Sequence, residues 1–272
     1  MSYFASGFKD VDHTNAIQKF VQCLKLQQSL AFYKYYKQKT FDLLQLVEGA
    51  TVLEVGCGTG EDAIALAKWV GNTGKVIAVD RSQAMLDQAI ANAKNLNLPI
   101  EFVCADAHDL PFADDTFDGA RVDRTLQHIA NPERAIGEMV RVLHPGGYLV
   151  AMEPDWETFT IDSENHPITR KLLNFWCDSF PAPWVGRSLR RNFHQAGLIN
   201  IQVSPETLVI TQFELADQVF DLAQTAHQAK EIGIVSPQEA QEWLEELNQR
   251  DQSQEFFSSF TAFIVSGKKP VI

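Results

Sequence analysis

The sequence is poor in cysteine and contains none of the cysteine spacings that bind metal ions. Its 272 residues include four cysteines, Cys23, Cys57, Cys104 and Cys177, and no two of them form a Cys-x-x-Cys pair. This scatter argues against a zinc site or a disulfide framework and suits a reducing cytoplasm. With a hydrophobic fraction of 45%, a chain of this length buries an ordinary core without cross-links, so no metal is predicted.

Positive charge and long apolar runs are also scarce. The formal net charge is −12, and because so acidic a surface repels a phosphate backbone, we expect no nucleic-acid partner. One local exception, Arg187 with Arg190 and Arg191, is either a solvated helix face or an anion site. The segment Met1–Ala5 lacks the features of a signal peptide, and no run approaches the ~18 apolar residues of a membrane span. We therefore expect a cytoplasmic monomer or homodimer.

Glycine and proline are absent from residues 16 to 46, which favours helix there. Beyond residue 50, short β-branched runs alternate with amphipathic stretches, a pattern typical of βαβ units. The predicted strands are Thr51–Val55, Lys75–Asp80, Ile100–Asp106, Phe117–Asp123, Gly147–Glu153, Asn200–Ile210 and Phe257–Ser266. The predicted helices are Asp62–Val70, Ser82–Asn95, Pro132–Leu143 and a long stretch over Glu214–Gln249. This order predicts an α/β fold with a doubly wound, mostly parallel seven-stranded sheet.

The same pattern predicts three parts of the chain. Residues 1–46 form an N-terminal helical cap, and residues 47–153 form the core of the sheet. Residues 154–272 form a helical insert or lid, followed by the last two strands. The insert runs from Pro154 to Gly197 and is rich in aromatic residues.

A glycine loop follows the first strand. Thr51–Val55 leads into Gly56-Cys57-Gly58-Thr59-Gly60, and a helix begins near Glu61. Here glycines let the backbone approach a ligand at the carboxyl edge of the sheet, and the helix start favours a negative group. A dinucleotide site is the obvious rival, but its Gly-x-Gly-x-x-Gly fingerprint needs glycine where Glu61 stands. Because an acid there would face a pyrophosphate unfavourably, the predicted ligand lacks a pyrophosphate.

Two acidic residues end the next two strands. Asp80 lies 24 residues after Gly56, where a carboxylate can accept hydrogen bonds from both ribose hydroxyls. Asp106 ends the third strand, where a carboxylate can accept a hydrogen bond from an adenine amino group. Either aspartate alone is more simply interpreted as a helix N-cap. The glycine loop and both acids, each at a strand end and in this order, indicate an adenosine pocket.

These segments also carry a family resemblance. The matching segments are Val52–Gly60, Val76–Leu86, Asp106–Phe112 with Phe117-Asp118, and Arg141–Gly147. In them the chain resembles the class I, Rossmann-like methyltransferases that use S-adenosylmethionine, over roughly residues 51–153. It looks closest to the group of quinone C-methyltransferases and small-molecule methyltransferases. His144 replaces the usual lysine or arginine, and Glu153-Pro154-Asp155-Trp156 replaces a Glu-x-Ser ending, which argues against a quinone acceptor.

The resemblance implies a Rossmann-like core that binds S-adenosylmethionine, and it implies a role for individual residues. The glycines would approach the methionyl part of the cofactor, Asp80 the ribose, and Asp106 the amino edge of the adenine. The residues that it assigns to the cofactor are Gly56, Cys57, Gly58, Asp80, Arg81, Met85, Asp106, Ala107 and Val122. It also implies that Arg141–Gly147 is structural.

The methyl acceptor should lie beyond the ends of the fourth and fifth strands. Methyl transfer is an in-line displacement, and holding the acceptor near the methyl group supplies much of the catalysis. We expect a small-molecule acceptor, with Asp123, Arg124 and His128 as catalytic candidates. His128 is either a general base, needed only if the acceptor must lose a proton, or a residue that orders its loop. Arg124 either binds an anionic group of the acceptor or pairs with Asp123 or Asp155.

Other residues flank this expected acceptor site. Glu153, Asp155 and Trp156 follow the fifth strand. The aromatic residues Trp156, Phe159, Trp176 and Trp184 either line an apolar pocket or pack the core of the insert. The stiff segment Pro181–Arg187 has the composition of a lid. By family analogy, Tyr35 and Tyr36 of the N-terminal helix would close the other side of the cofactor.

Two other functions stay open at this point. One is an NAD-dependent oxidoreductase, against which Glu61 argues, and the other is a non-catalytic protein that binds S-adenosylmethionine. A nucleic-acid methyltransferase is disfavoured by its charge and by Val122-Asp123-Arg124-Thr125. That segment stands where enzymes acting on exocyclic base nitrogens carry Asn/Asp-Pro-Pro-aromatic.

Overall fold

A computed structural model describes residues 7–13 and 17–271, which form one seven-stranded sheet and the helices around it. Its strands are β1 Thr51–Val55, β2 Lys75–Asp80, β3 Ile100–Cys104, β4 Phe117–Asp123, β5 Leu143–Ile161, β6 Ile199–Ile210 and β7 Ser258–Lys268. The strand order is β3-β2-β1-β4-β5-β7-β6. Strands β1 to β5 pair in parallel, whereas β7 runs antiparallel to both β5 and β6. The prediction of a doubly wound, mostly parallel seven-stranded sheet is confirmed.

Helices cover both faces of the sheet. In the described chain they are α1 Ile17–Ser29, α2 Ala31–Leu43, α3 Glu61–Val70, α4 Gln83–Ala93, α5 Pro132–Val142, α6 His166–Asp178, α7 Val185–Gln195, α8 Phe213–Phe220, α9 Leu222–Glu231 and α10 Pro237–Gln252. Two short 3-10 helices occupy Phe8–His13 and Leu126–His128. Because strand side chains alternate, Leu53 and Ile77 pack with α5 and α7, whereas Val52 and Val76 pack with the other helices.

The N-terminal helical stretch is interrupted, although we predicted continuous helix over residues 16–46. Helix α1 ends at Ser29 and α2 begins at Ala31, and Leu30 between them is extended, with φ −74° and ψ 139°. The Ser29 hydroxyl donates to the carbonyl of Leu26 at 2.6 Å. Such a local side-chain bond competes with continued helix. The break lets α1 and α2 pack against each other.

The C-terminal helical stretch, predicted over Glu214–Gln249, consists of three helices. Helix α8 ends before Asp221, which has a left-handed φ of +59°, and a turn at Gly233 with φ +78° ends α9. Ser236 then starts α10 with a capping box, in which its hydroxyl and the carboxylate of Glu239 bond each other's backbone amides. These interruptions fold the stretch into a compact layer on one face of the sheet.

Strand β5 is longer than predicted. Residues 154–161, which we assigned to the helical insert, continue the strand and pair with β7. The register shifts between Asp155 and Thr160, and the extra residues of such a bulge reorient side chains locally. Trp156, Phe159 and Ile161 are all buried in the core on one face. Because aromatic and β-branched residues suit a strand with a partner available, this segment extends the sheet. Helix then begins only at His166.

No helix in the described part of the chain is long and apolar enough to cross a membrane.

Candidate active site

A cavity of about 830 Å³ opens at the carboxyl edge of the sheet, where β1 to β4 end. One side, which we call the donor half, is formed by loops after β1, β2 and β3. It comprises Val55–Thr59, Asp80–Ser82, Met85 and Ala105–His108. The other side, the acceptor half, is mainly aromatic. It comprises Tyr33, Arg124, Gln127, His128, Trp156, Trp176, Phe180, Phe220 and Phe260.

The glycine loop of the donor half requires glycine for steric reasons. Gly56 has φ +72°, and a Cβ placed there would lie 2.0 Å from Oγ1 of Thr125. Gly60, with φ +86°, lies where a Cβ would approach that of Ala89 to 2.8 Å. Gly58, with φ +51°, has more space but the same left-handed backbone. The loop is therefore pressed between α4 and the segment that follows β4.

Asp80 organises this loop from the end of β2. Its carboxylate accepts hydrogen bonds from the backbone N–H of Gly58 at 2.8 Å and of Ser82 at 2.9 Å. Burial raises the pKa of Asp80, while these backbone donors act in the opposite direction. Asp106, which we predicted to end β3, lies just beyond the strand, which ends at Cys104. It accepts from the backbone N–H of His108 at 2.9 Å and contacts its Nδ1 at 2.7 Å.

The structure brings nearly all predicted cofactor residues together. The residues that line the cavity are Gly56, Cys57, Gly58, Asp80, Arg81, Met85, Asp106 and Ala107. Val122 is the exception, because its side chain is fully buried in the core beneath the sheet and does not line the cavity.

The three predicted catalytic candidates also line the cavity, in the segment from Asp123 to His128. Arg124 has φ +51°, a left-handed conformation that is rare outside glycine and concentrated at functional sites. Its guanidinium lies 4.8 Å from the ring centre of Tyr33. It also donates to Oε1 of Gln27 and lies 3.4 Å from Oδ1 of Asp123. Of its two predicted partners, Asp123 is therefore observed. Asp155 is not, because it pairs with Arg187 instead.

His128 packs between two aromatic rings. Its ring centre lies 5.4 Å from that of Phe8 and 5.6 Å from that of Phe180. Burial, and secondarily the positive charge of Arg124, lowers the pKa of His128 to about 3. Its Nδ1 has no hydrogen-bond partner among the described residues. His128 is therefore neutral at physiological pH.

Glu153 holds the segment after β4 in place rather than facing the acceptor. Its carboxylate accepts from the backbone N–H groups of Thr125 at 2.8 Å, Leu126 at 2.6 Å and Gln127 at 3.3 Å. Burial raises the pKa of Glu153 to about 8, against the effect of these donors. Trp156 donates from Nε1 to Oε1 of Gln127 at 2.6 Å, which ties the aromatic wall to the same segment.

The aromatic wall is a continuous cluster. Trp156 stacks on Phe180 at 5.1 Å and lies 4.9 Å from Phe260, and Trp176 meets it edge-on at 5.6 Å. Phe159 packs behind this wall without lining the cavity, and Trp184 is 50% exposed. Of the predicted lid, Pro181 reaches the cavity, whereas Arg187 pairs with Asp155 and Glu157 outside it.

A buried ionic network that we did not predict from the sequence lies along the cavity wall. Arg121 is fully buried and contacts Glu54, Asp62 and Asp123, the last at 2.8 Å. Lys37 pairs with Asp62 at 2.7 Å. One signal was available, since Glu54 and Arg121 are opposite charges inside apolar strands, and they are direct neighbours in the β1–β4 register. Their pairing reflects the rule that buried charges are matched.

The contacts that the N-terminal helices make near the cavity were predicted only in part. Tyr36 is buried, and its hydroxyl lies 3.2 Å from each carboxylate oxygen of Asp123, whereas Tyr35 is 65% exposed and is not near the cavity. The missed contact is Asp12, whose carboxylate accepts from Ser82 Oγ at 2.5 Å and from the backbone N–H of Gln83 at 3.0 Å. A 3-10 helix at the N-terminus thus caps α4 beside Asp80.

Comparison with known proteins agrees with this architecture. A family model described as a methyltransferase domain matches residues 46–246. An uncharacterised 37.1 kDa protein of transposon Tn4556 from Streptomyces fradiae is 38% identical over 231 residues, covering 85% of this chain and 66% of that protein. Demethylmenaquinone methyltransferase of Bacillus licheniformis is 31% identical over 192 residues, covering 71% of this chain and 75% of that protein. The chain therefore spans about two thirds to three quarters of these relatives.

A solved structure shows the same fold. Phosphoethanolamine N-methyltransferase 2 of Haemonchus contortus, in complex with S-adenosyl-L-methionine, superimposes with a TM-score of 0.62 at 16% identity. The match covers 100% of this chain and 61% of that one. A seven-stranded sheet with its one antiparallel insertion and a glycine-built pocket at the carboxyl edge is the architecture of Rossmann-like methyltransferases. This chain belongs to the methyltransferase domain family, which confirms the predicted resemblance and the predicted cofactor, S-adenosylmethionine.

Proposed function

We propose that this protein transfers a methyl group from S-adenosylmethionine to a small, largely apolar acceptor by in-line displacement. The observation that carries the proposal is the position of the segment Asp123–His128. Its Thr125 touches Gly56 of the donor half, and its Gln127 and His128 contact Trp156 and Phe180 of the acceptor half. The two halves therefore meet at one segment within one cavity.

The donor half fits the cofactor. The glycine loop leaves room that a Cβ would fill, and Oε2 of Glu54, in the cavity wall, is buried without a partner among the described residues. Because a buried carboxylate oxygen needs a donor, Glu54 suits an ammonium group such as that of a bound methionyl moiety. When bound, the cofactor supplies a methyl group activated by a sulfonium. Asp80 and Asp106 would then bind the ribose and adenine.

The acceptor half selects by shape and polarity. Its aromatic side chains exclude water and hold a flat apolar molecule, and Gln127 and His128 add polar contacts at the segment nearest the donor half. Relatives at 31% identity are named demethylmenaquinone methyltransferases, which supports an aromatic acceptor. The net charge of −12 supports a small molecule over nucleic acid.

Cofactor binding gives the first test. We expect wild-type protein to bind S-adenosylmethionine and S-adenosylhomocysteine by isothermal titration calorimetry. We expect Asp80→Ala to weaken binding about tenfold to a hundredfold, since hydrogen bonds to a charged group contribute about 1.5–3 kcal/mol. The matched control is Asp87→Ala, an exposed aspartate on α4 outside the cavity. Absence of binding by the wild type at millimolar cofactor would overturn the proposal.

Two further measurements separate the alternatives. An NADH fluorescence titration should be flat, and saturable NADH binding would instead favour an oxidoreductase. A screen of aromatic acceptors, read by formation of S-adenosylhomocysteine, should give a methylated product. Tight cofactor binding with no product across that screen would favour a non-catalytic role.

A further inference from the structure

The acceptor half contains one cation, the partly buried Arg124, in a mainly aromatic wall. Arg124 contacts Tyr33 and lines the same cavity as Trp156 and Phe180, and its side chain is 16% exposed. The left-handed backbone at Arg124 places the guanidinium over the ring of Tyr33, where cation–π contact stabilises it. Its bond to Gln27, its 3.4 Å contact with Asp123 and its side-chain hydrogen bond with Tyr33 occupy only part of its five N–H donors.

Asp123, the carboxylate that contacts Arg124, also accepts hydrogen bonds from two other side chains. Oδ2 of Asp123 accepts from Arg121 at 2.8 Å and from the hydroxyl of Tyr36 at 3.2 Å. The network contains three acids, Glu54, Asp62 and Asp123, and three bases, Lys37, Arg121 and Arg124. An anion placed beside Arg124 therefore meets a network in which each acid already contacts at least one base. The titratable groups that face Arg124 are Cys23, Tyr33, Tyr36, Asp62, Asp123 and His128.

Two candidate proton acceptors line the cavity beside Arg124: Asp123, whose oxygens already accept from Arg121, Arg124 and Tyr36, and His128. His128 lies between the rings of Phe8 and Phe180, and its Nδ1 has no hydrogen-bond partner among the described residues. Its low pKa makes it a weak base at physiological pH. We therefore expect an acceptor that must lose a proton to lose it when it binds, before methyl transfer.

Resting on the proposed function, we propose that the acceptor is an aromatic hydroxyl compound that binds and reacts as its anion, held by Arg124. The hydroxyl proton passes to solvent water on binding. A lone pair of the oxygen anion then forms the new bond to the methyl carbon, while the carbon–sulfur bond breaks and leaves its electron pair on sulfur. The negative charge of the oxygen and the positive charge of the sulfonium disappear together, so no general base is required. The same charge disfavours cationic amines as acceptors.

The test measures the ionisation of a bound probe without cofactor. The probe is 1-naphthol, whose anion absorbs at longer wavelength than its neutral form. We expect wild-type protein to bind the anion at least about tenfold more tightly than the neutral form, since a cation at 4–6 Å lowers a neighbouring pKa by about 1–3 units. Arg124→Gln should abolish this preference, and Arg124→Lys should retain part of it. The matched control is Arg190→Gln, an exposed arginine on α7.

Each outcome decides the proposal. An unchanged ionisation of naphthol in the wild type, or the same preference in Arg124→Gln, would overturn it. So would tighter binding of 1-naphthylmethylammonium than of the naphthol anion, a comparison that needs only wild-type protein if Arg124→Gln does not fold. S-adenosylmethionine titrations of the same samples keep the two proposals apart. Cofactor binding without the naphthol effect rejects only this inference, whereas no cofactor binding rejects the proposed function.

Discussion

The donor half of the cavity comes from loops that follow β1, β2 and β3. The acceptor half instead draws one side chain each from α2, β5, α6, α8 and β7, and the others from the segments after β4 and α6. In the donor half the critical features are backbone conformations, such as the positive φ of Gly56, and backbone N–H groups bound by Asp80. In the acceptor half they are large side chains that pack against each other. Backbone requirements restrict the type of residue at fixed positions along the sequence. Aromatic packing sets no such fixed spacing, because the side chains come from separate elements.

The largest effect should come from the acceptor half. Trp156→Ala removes a ring that stacks on Phe180 and leaves Gln127 without its partner. We expect the free energy of unfolding in urea to fall by about 3–5 kcal/mol. The affinity for S-adenosylmethionine should change less than about threefold, because the donor half does not include this side chain.

The matched control for that change is Trp184→Ala, since Trp184 is 50% exposed. Trp184→Ala should lower the free energy of unfolding by less than about 1 kcal/mol. If Trp156→Ala instead removed cofactor binding at temperatures where it stays folded, the two halves would not be independent.

The next effect concerns the donor half. Gly56→Ala places a Cβ against Thr125 at a backbone angle that alanine disfavours. We expect S-adenosylmethionine binding to weaken about a hundredfold, because the strain of 1–3 kcal/mol adds to the clash. Calorimetry measures the loss. Gly137→Ala, on α5 with nothing within 4 Å of the added carbon, should leave affinity unchanged and raise stability slightly. Normal cofactor affinity in Gly56→Ala would show that the loop tolerates a side chain.

A smaller effect is a pH dependence of stability from the acceptor half. His128 has a folded-state pKa of about 3, below that of an unfolded histidine, so the unfolded state binds more protons and stability falls as pH drops below about 6.5. Between pH 7.5 and 5.5 this loss is about 1.4 kcal/mol. The free energy of unfolding in urea should differ less between these two pH values in His128→Asn than in the wild type. The exposed His166→Asn should behave as wild type, and an identical pH dependence in His128→Asn would contradict the assignment.

The smallest effect should come from the N-terminal contact with the donor half. Asp12→Asn weakens the cap on α4 next to Asp80. A lost cap costs about 0.5–2 kcal/mol, so we expect S-adenosylmethionine to bind severalfold more weakly. Ser236→Ala removes a comparable cap on α10, far from the cavity. It should lower stability without changing the affinity for S-adenosylmethionine. Equal affinity in Asp12→Asn and Ser236→Ala would show that the N-terminal contact does not affect cofactor binding.

The same division explains which predictions succeeded. Strands β1, β2 and β4 have the predicted bounds, because short apolar runs between turns leave few alternatives. Residues 154–161 were predicted wrongly, since an aromatic segment suits either a helix or a strand and the partner strand β7 lies about 100 residues away. The cofactor residues line the cavity, apart from Val122, and their individual roles stay predictions. The pairing of Asp155 with Arg187 was not foreseen.

The glycine loop illustrates what the sequence by itself determined. Three glycines at fixed spacing, an acid near the end of each of the next two strands and Glu61 in place of a dinucleotide glycine predicted an adenosine pocket, and the same segments carried the family resemblance. Each of these constraints is local. Tertiary structure alone decided the rest: that Arg121 pairs with three acids, that Arg124 lines an aromatic cavity, and that His128 packs between aromatic rings with a lowered pKa. The charge state of a side chain depends on burial and on neighbours distant along the chain, and folding is what supplies both.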